Sequence, residues 1–186
     1  LHSLFWRFSI MASEIKVDII NTAGGTPFIS AQQFRLAAEQ AGSGSVGTLL
    51  TNWEEVDTDY QALGSAWSQS SGVFSCSVTG IYLCTWTLVA HDTTGSDRFD
   101  PSIEISTNGG GAFTTRSLIW GNTDQDNDGP RDLTLTQTFM FDVSNASNFR
   151  LQYKQSTSND IGTGTTIVGN TGYTATQIMF IRLGAT

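Results

Sequence analysis

The residues with the clearest chemical potential lie at Asp124-Gln125-Asp126-Asn127-Asp128-Gly129. Carboxylates at every second position followed by Gly match the first half of a calcium loop. The twelfth position of such a loop supplies a bidentate Glu, and here it is Leu135. A true EF-hand is therefore excluded. Asp124, Asp126 and Asp128 are left as a weak Ca²⁺ candidate, weighed against a hydrated loop that relieves their mutual repulsion by solvent. No other cofactor is indicated.

Nucleophilic and acid–base chemistry find little support. Cys76 or Cys84 with His91 is the one thiol–imidazole combination, but both cysteines read as strand-interior residues. Glu54, Glu55 and Asp57 could supply paired carboxylates for glycoside cleavage. Acidic residues just after a strand more often form a solvated edge. Asn108-Gly109-Gly110-Gly111 lacks the Lys-Ser/Thr and helix that complete a phosphate loop, so it reads as a hairpin turn. No catalytic residue is assigned. Two cysteines are too few for a disulfide framework. They lie in successive strand-like runs, where a bridge is geometrically allowed, and are read as free buried thiols. With only His2 and His91 beside them, a zinc site is not expected. Trp67, Trp120 and Tyr173 fall near loops, where an exposed ring can stack on a sugar, so they are candidate glycan contacts.

Composition decides which elements must carry these residues. The chain has 186 residues, a net charge of −8 and only 14% charged residues. Gly, Ser and Thr make up roughly a third of it, and there are eleven Phe and five Trp. No basic excess exists to neutralise phosphates, which argues against nucleic acid as a partner. No apolar run is long enough for a membrane-spanning helix. The aromatic content is too high for a disordered chain. Few charges with many Thr, Gly and aromatics indicate an all-β protein.

Charge divides the chain. Within residues 1–50, Arg7, Lys16 and Arg35 balance Glu14, Asp18 and Glu39, so the whole acidic excess belongs to residues 51–186. Leu4, Phe5, Trp6 and Phe8 form an apolar tip that free solvent would tolerate poorly. Ile15, Val17 and Ile19 alternate with Lys16 and Asp18 as a short strand. Ser30 with Gln33 is a capping-box pattern, which predicts one short helix over residues 31–41 with Phe34, Ala37, Ala38 and Ala41 on one face. Gly42 to Gly47 is a Gly/Ser linker. The expected organisation is an N-terminal arm and linker, residues 1–47, and a β domain, residues 48–186.

Strands are predicted at 48–56, 73–78, 81–91, 101–106, 112–120, 133–142, 148–155 and 173–183, with a further one near 165–168. Turn residues separate them, and the pattern suggests a β-sandwich or jelly roll. Two strands are unusual. Tyr82, Cys84, Trp86 and Leu88 oppose Ile81, Leu83 and Val89, and Ile178 and Phe180 oppose Met179 and Ile181. A strand with one wet face alternates apolar with polar. These have two apolar faces, so one face fills the core and the other needs a cover. Another copy of the subunit is the most economical cover. Phe74, Tyr82, Cys84, Trp86, Leu88, Ile178, Phe180 and Ile181 are expected to build the core or the interface.

Gly72-Val73-Phe74 followed by Gly80-Ile81-Tyr82-Leu83-Cys84 resembles the G-x-F…G-x-Y-x-F pattern of tumour-necrosis-factor-like and complement-globular-head jelly rolls, with Cys84 in place of the usual aromatic. The end, Ala175 to Gly184, looks like the final central strand of that group. Its Phe180-Ile181-Arg182-Leu183-Gly184 is also similar to the endings of marine bacteriophage virion proteins. Met11 to Ile20 resembles the N-termini of phage appendage and fibre proteins. These resemblances imply a homotrimer on the surface of a virion. Its arm would contact the major capsid protein or another virion protein through Leu4, Phe5, Trp6, Phe8, Ile15, Val17 and Ile19. The expected function is a decoration or cement protein, or a short head fibre, since about 47 residues without a heptad or collagen-like repeat cannot build a long shaft. Alternatives are a tail-fibre tip holding a cell-surface glycan and a secreted cytokine-like or lectin-like domain.

Overall fold

The computed structural model describes residues 30–42, 47–57, 61–93, 98–123, 131–155 and 164–186. The alternation of Tyr82, Cys84, Trp86, Leu88 and Ala90 sets the frame. These five side chains point to one side of β6 (Gly80–Asp92) and are completely buried. Along one edge of β6 runs β11 (Arg131–Val143), antiparallel over all thirteen residues, from Arg131 opposite Asp92 to Val143 opposite Gly80. Along the other edge lie β14 (Gln177–Gly184) and then β13 (Thr165–Ile167). Next to β14 comes β1 (Ser30–Leu36), and next to β1 comes β3 (Trp53–Glu55). The short β2 (Gln40–Ala41) pairs with β13.

A second sheet runs in the order β4 (Trp67–Ser70), β5 (Val73–Cys76), β12 (Arg150–Lys154), β8 (Ser102–Ser106) and β9 (Thr114–Leu118). A small ribbon joins β7 (Arg98–Phe99) to β10 (Gly121–Asn122). All pairings are antiparallel, and the two sheets face each other as a jelly-roll sandwich. The core between them is aromatic. Phe180 stacks on Trp67 with centroids 4.0 Å apart and meets Phe34 and Phe74 edge-on. Tyr153 packs against Trp53 and Trp86. The one polar atom of Trp86 is satisfied, its Nε1–H donating to Ser117 Oγ at 2.9 Å. Phe74, Tyr82, Cys84, Trp86, Leu88, Ile178 and Phe180 are thus core of a single subunit.

The predicted helix over 31–41 does not form. Ser30–Leu36 is a strand in the middle of the larger sheet, pairing with β14 from Ser30↔Arg182 to Arg35↔Gln177 and with β3 from Phe34↔Glu55 to Leu36↔Trp53. Ser30, Gln32, Phe34 and Leu36 are buried at period two, with Arg35 buried among its own ion pairs, whereas Ala37, Ala38 and Ala41 suggest a helical period. Tertiary pairing outweighs a propensity worth a fraction of a kcal/mol per residue. Gln32 shows the mechanism. Its side chain accepts the Trp67 N–H (2.6 Å) and donates to the Trp67 carbonyl (3.1 Å), bridging the two sheets. Residues 30–41, expected in the arm, accordingly lie within the sandwich.

Strand β4 was missed because Trp-Ser-Gln-Ser carries no apolar alternation. Its turn was readable. Ser71 (φ 50°) and Gly72 (φ 82°) form the two-residue link to β5, the left-handed pair of a tight hairpin. A Cβ on Gly72 would come within 2.5 Å of the Leu50 carbonyl oxygen.

Both cysteines are free and buried. Burial pushes the Cys76 thiol up, against an opposing hydrogen bond with Tyr82. Burial alone pushes Cys84 well up. The native protein should therefore resist a thiol reagent at pH 8 and react with two equivalents once unfolded in guanidinium. Above the ordinary thiol range only the unfolded chain loses these protons. Stability should be complete below about pH 8.5 and fall as pH rises beyond it, by about 1.4 kcal/mol per unit for the fully buried Cys84. Thermal melts at pH 8, 9 and 10 measure the slope.

Candidate functional site

The outward face of the larger sheet is where chemistry departs from expectation for a solvated surface. Cross-strand pairing places Ala31 beside Ile181, Ile181 beside Leu83, and Leu83 beside Met140. Beyond Ala31, an isolated bridge adds Leu63. Leu63, Ala31, Ile181, Leu83 and Met140 therefore form one apolar row across the face. At about 4.8 Å per step it is roughly 19 Å long. Leu63 is 51% exposed and Met140 66% exposed. Met179, one row up, extends the patch between Gln33 and Thr85.

Beyond Met179 the face is largely polar and internally paired, with Val89 the apolar exception on β6. Thr85 shares a hydroxyl hydrogen bond with Thr138 (2.9 Å), and Thr87 with Thr136 (3.0 Å). Gln33 bonds Gln177 side chain to side chain. At the far end His91 Nδ1 lies 2.7 Å from Asp132. The face thus has an apolar end, where β1 begins, and a hydroxyl-rich end.

A groove opens beside the apolar end, on the side of the sandwich where β9 and β11 are the terminal strands. It encloses about 280 Å³. Ile105, Phe139, Phe141 and Phe149 line it, with Met140, Thr107, Arg116 and Asp142 around them. Phe141 and Phe149 are stacked, 5.3 Å between centroids, and give it a rigid wall.

The sequence candidates divide clearly. Ile181 lies on the outward face, while the other seven expected core or interface residues point inward. Trp67 cannot stack on a sugar: it is buried at 4% exposure between Phe180, Tyr82, Phe141 and Phe149. It begins β4, where a ring facing inward fills the core. Trp120 and Tyr173 are exposed, and the Arg98 guanidinium stands 5.9 Å from the Trp120 ring centre, a cation–π arrangement.

The carboxylates in and just after β3 are committed to structure. Arg35, almost wholly buried, donates from Nε to Glu54 (2.7 Å) and from Nη2 to Asp57 (2.9 Å). Glu55 accepts from Gln32 at 3.1 Å. Cys84 and His91 are on one strand but seven residues apart, so they point to opposite faces. Asn108 closes the β8–β9 turn, its Oδ1 accepting from Ser106 Oγ (2.7 Å) and the Ala112 N–H (3.0 Å). Among the described residues no cluster of three His, Cys, Asp or Glu side chains could hold a metal ion, and no helix is long and apolar enough to cross a membrane. Asp124, Asp126 and Asp128 lie outside the described residues, as do Leu4, Phe5, Trp6, Phe8, Ile15, Val17 and Ile19.

Sequence reasoning missed Leu63 and the groove. Leu63 sits in a segment without periodicity and gives no signal. The groove does give one: Phe139-Met140-Phe141 breaks the apolar–polar alternation of β11, so a wet-face position carries Met.

No family model matches the chain, and no curated protein sequence matches it. Solved structures do. Murine APRIL at pH 5.0 superposes with a TM-score of 0.60 and 14% identity, over 83% of this chain and 99% of that one. Eiger TNF from S. frugiperda gives a TM-score of 0.61 and 11% identity, over 85% and 94%. The fold is a tumour-necrosis-factor-like jelly roll.

Proposed function

We propose that a non-catalytic, homotrimeric jelly-roll head is the working form of this chain, and that its arm fixes the head to the surface of a tailed-phage virion. The observation that carries the trimer is the apolar row Leu63–Ala31–Ile181–Leu83–Met140 on the outward face. Exposed apolar surface that is continuous across several strands marks a contact. The jelly-roll fold is compatible with that assembly, and an acidic exterior keeps the assembled heads apart in solution.

The virion role rests on the sequence resemblances at Met11 to Ile20 and at Phe180 to Gly184. In this reading residues 1–29 precede the sandwich and dock on the major capsid protein or another virion protein. Leu4, Phe5, Trp6 and Phe8 supply apolar burial, together with Ile15, Val17 and Ile19. At about 25 cal/mol per Å² a few such side chains contribute several kcal/mol per subunit. Three arms on one head add avidity where the lattice spacing allows all to bind. The protein then acts as a decoration or cement protein, or as a short head fibre.

Deleting residues 1–20 is expected to leave the melting curve and native mass unchanged and to abolish co-sedimentation with virions that lack the protein. Undiminished co-sedimentation would contradict the arm's role.

A second reading is a receptor-binding tip. Trp120 and Tyr173 favour it, since both rings are exposed. Antibody labelling of particles separates the two readings by showing the head or the tail.

A further inference from the structure

Strand β11 has one unused edge. It pairs with β6 over its whole length without a register shift, and among the described residues no strand lies on its other side. The direction of its main-chain groups follows from β6. Val89 donates its N–H to Thr176 Oγ1 (3.1 Å), and its carbonyl accepts the Val168 N–H (2.8 Å). Val89 thus faces β13 and β14, so alternation turns Tyr82, Cys84 and Trp86 toward β11. Those residues oppose Phe141, Phe139 and Gln137, which spend their N–H and C=O groups in the ladder. Thr138, Met140 and Asp142 therefore direct theirs away from the sheet. Nearer its start that side of β11 is screened: Ser117 Oγ donates to Gln137 Oε1 (2.9 Å), and Gly121 lies against Leu133 and Leu135. From Thr138 onward the edge opens on the groove lined by Phe139, Phe141 and Phe149. Residues 138–141 carry no charge, proline or bulge, the usual guards of an exposed edge.

We propose that this edge and groove bind an extended segment of a partner protein, which adds a strand to β11 and seats one bulky apolar side chain among Phe139, Phe141 and Phe149. The site is complete within one subunit and goes beyond the head and arm readings. Three observations select a polypeptide of this kind. First, the outward N–H and C=O groups recur at every second residue, and another extended backbone supplies donors and acceptors at that spacing. Second, the groove encloses about 280 Å³, below the range of about 300–1,000 Å³ usual for small-molecule sites, so it suits one side chain. Third, Arg116 and Asp142 stand at its rim, and neither has an ion-pair partner among the described residues. A segment with a carboxylate on one flank of its apolar residue and an ammonium group on the other satisfies both. The unlike charges also fix the direction in which the segment lies.

The full chain is titrated with two fluorescein-labelled peptides, Ser-Glu-Thr-Leu-Thr-Lys-Ser and its reverse, Ser-Lys-Thr-Leu-Thr-Glu-Ser, and residue-resolved amide exchange is read in parallel. The expected result is saturable binding, with one order preferred about ten-fold and that preference lost in Arg116→Glu. On binding, the amides of Thr138, Met140 and Asp142 should pass from fast to slow exchange, while those of Phe139 and Phe141 stay slow throughout. Thr138→Pro removes one outward N–H and spares the ladder with β6, as an edge position allows. It should keep a cooperative melt and weaken binding at least about ten-fold. Should it fail to fold, peptides N-methylated at odd or at even residues decide: one of the two sets should lose binding. No saturable binding of either peptide would overturn the proposal, as would full affinity for Thr138→Pro or for both N-methylated sets. Slow exchange at Thr138, Met140 and Asp142 in the peptide-free protein would also overturn it, because a second copy or the chain's own arm would then already hold the edge.

Discussion

Phe180→Ala is expected to destabilise the protein by about 3–5 kcal/mol, read as a large drop in the guanidinium midpoint. Phe180 is 1% exposed and sits where the two sheets meet. It stacks on Trp67 at 4.0 Å and 12° and meets Phe34 and Phe74 edge-on at 6.3 and 5.7 Å. Truncation removes contacts to β1, β4 and β5 at once. These rings are held by Gln32 and the β4–β5 hairpin, so they cannot collapse into the space. A domain of this size is stable by only about 5–15 kcal/mol, so a loss of this order consumes much of the margin. An unfolding free energy within about 1 kcal/mol of wild type, from midpoint and slope together, would mean that the core is not organised around this stack.

Ile181→Asp, one residue later, should do the opposite. The side chain turns to the outward face between Ala31 and Leu83. In a single subunit the change costs no more than about 1 kcal/mol of strand preference, and the core beneath is untouched. In the assembly a carboxylate would be forced into the apolar row. Burying an unpaired charge is far more costly than that. A weakening of association by about 10³-fold corresponds to about 4 kcal/mol. The variant should therefore keep a cooperative unfolding transition, melt below wild type only by the share of stability that assembly contributes, and run as a single chain at micromolar concentration. A stable three-chain Ile181→Asp would contradict the assignment of this face.

The contrast between residues 180 and 181 also explains what the sequence made legible. Period-two alternation is a local property, so β6 and β14 announced two apolar faces without any knowledge of their neighbours. Which of the two faces turns inward was open in the sequence, where Tyr82, Cys84, Trp86 and Phe180 stood as core or interface; the second sheet packing on them decides it. Ser30–Leu36 misled because its identity depends on partners far away in the chain, from Trp53 to Arg182, while Ala37, Ala38 and Ala41 gave a local helical signal. Trp67 misled for a related reason: between Ser, Gly and Gln it resembles a loop aromatic, and only the second sheet turns it inward. Of the candidate contact surface, Leu83, Met179 and Ile181 were visible as a second apolar face. Leu63 was not, because a lone bridge partner leaves no periodic trace. The groove depends on how the terminal strands of two sheets stand side by side, which no single stretch of sequence encodes.

The native mass of the unmodified chain, measured by light scattering across a dilution series, tests the account most directly. The prediction is three times the 20.1 kDa chain mass, persisting into the low micromolar range. A mass of one chain at every concentration, with the outward row of Leu63, Ile181, Leu83 and Met140 left in water, would contradict it.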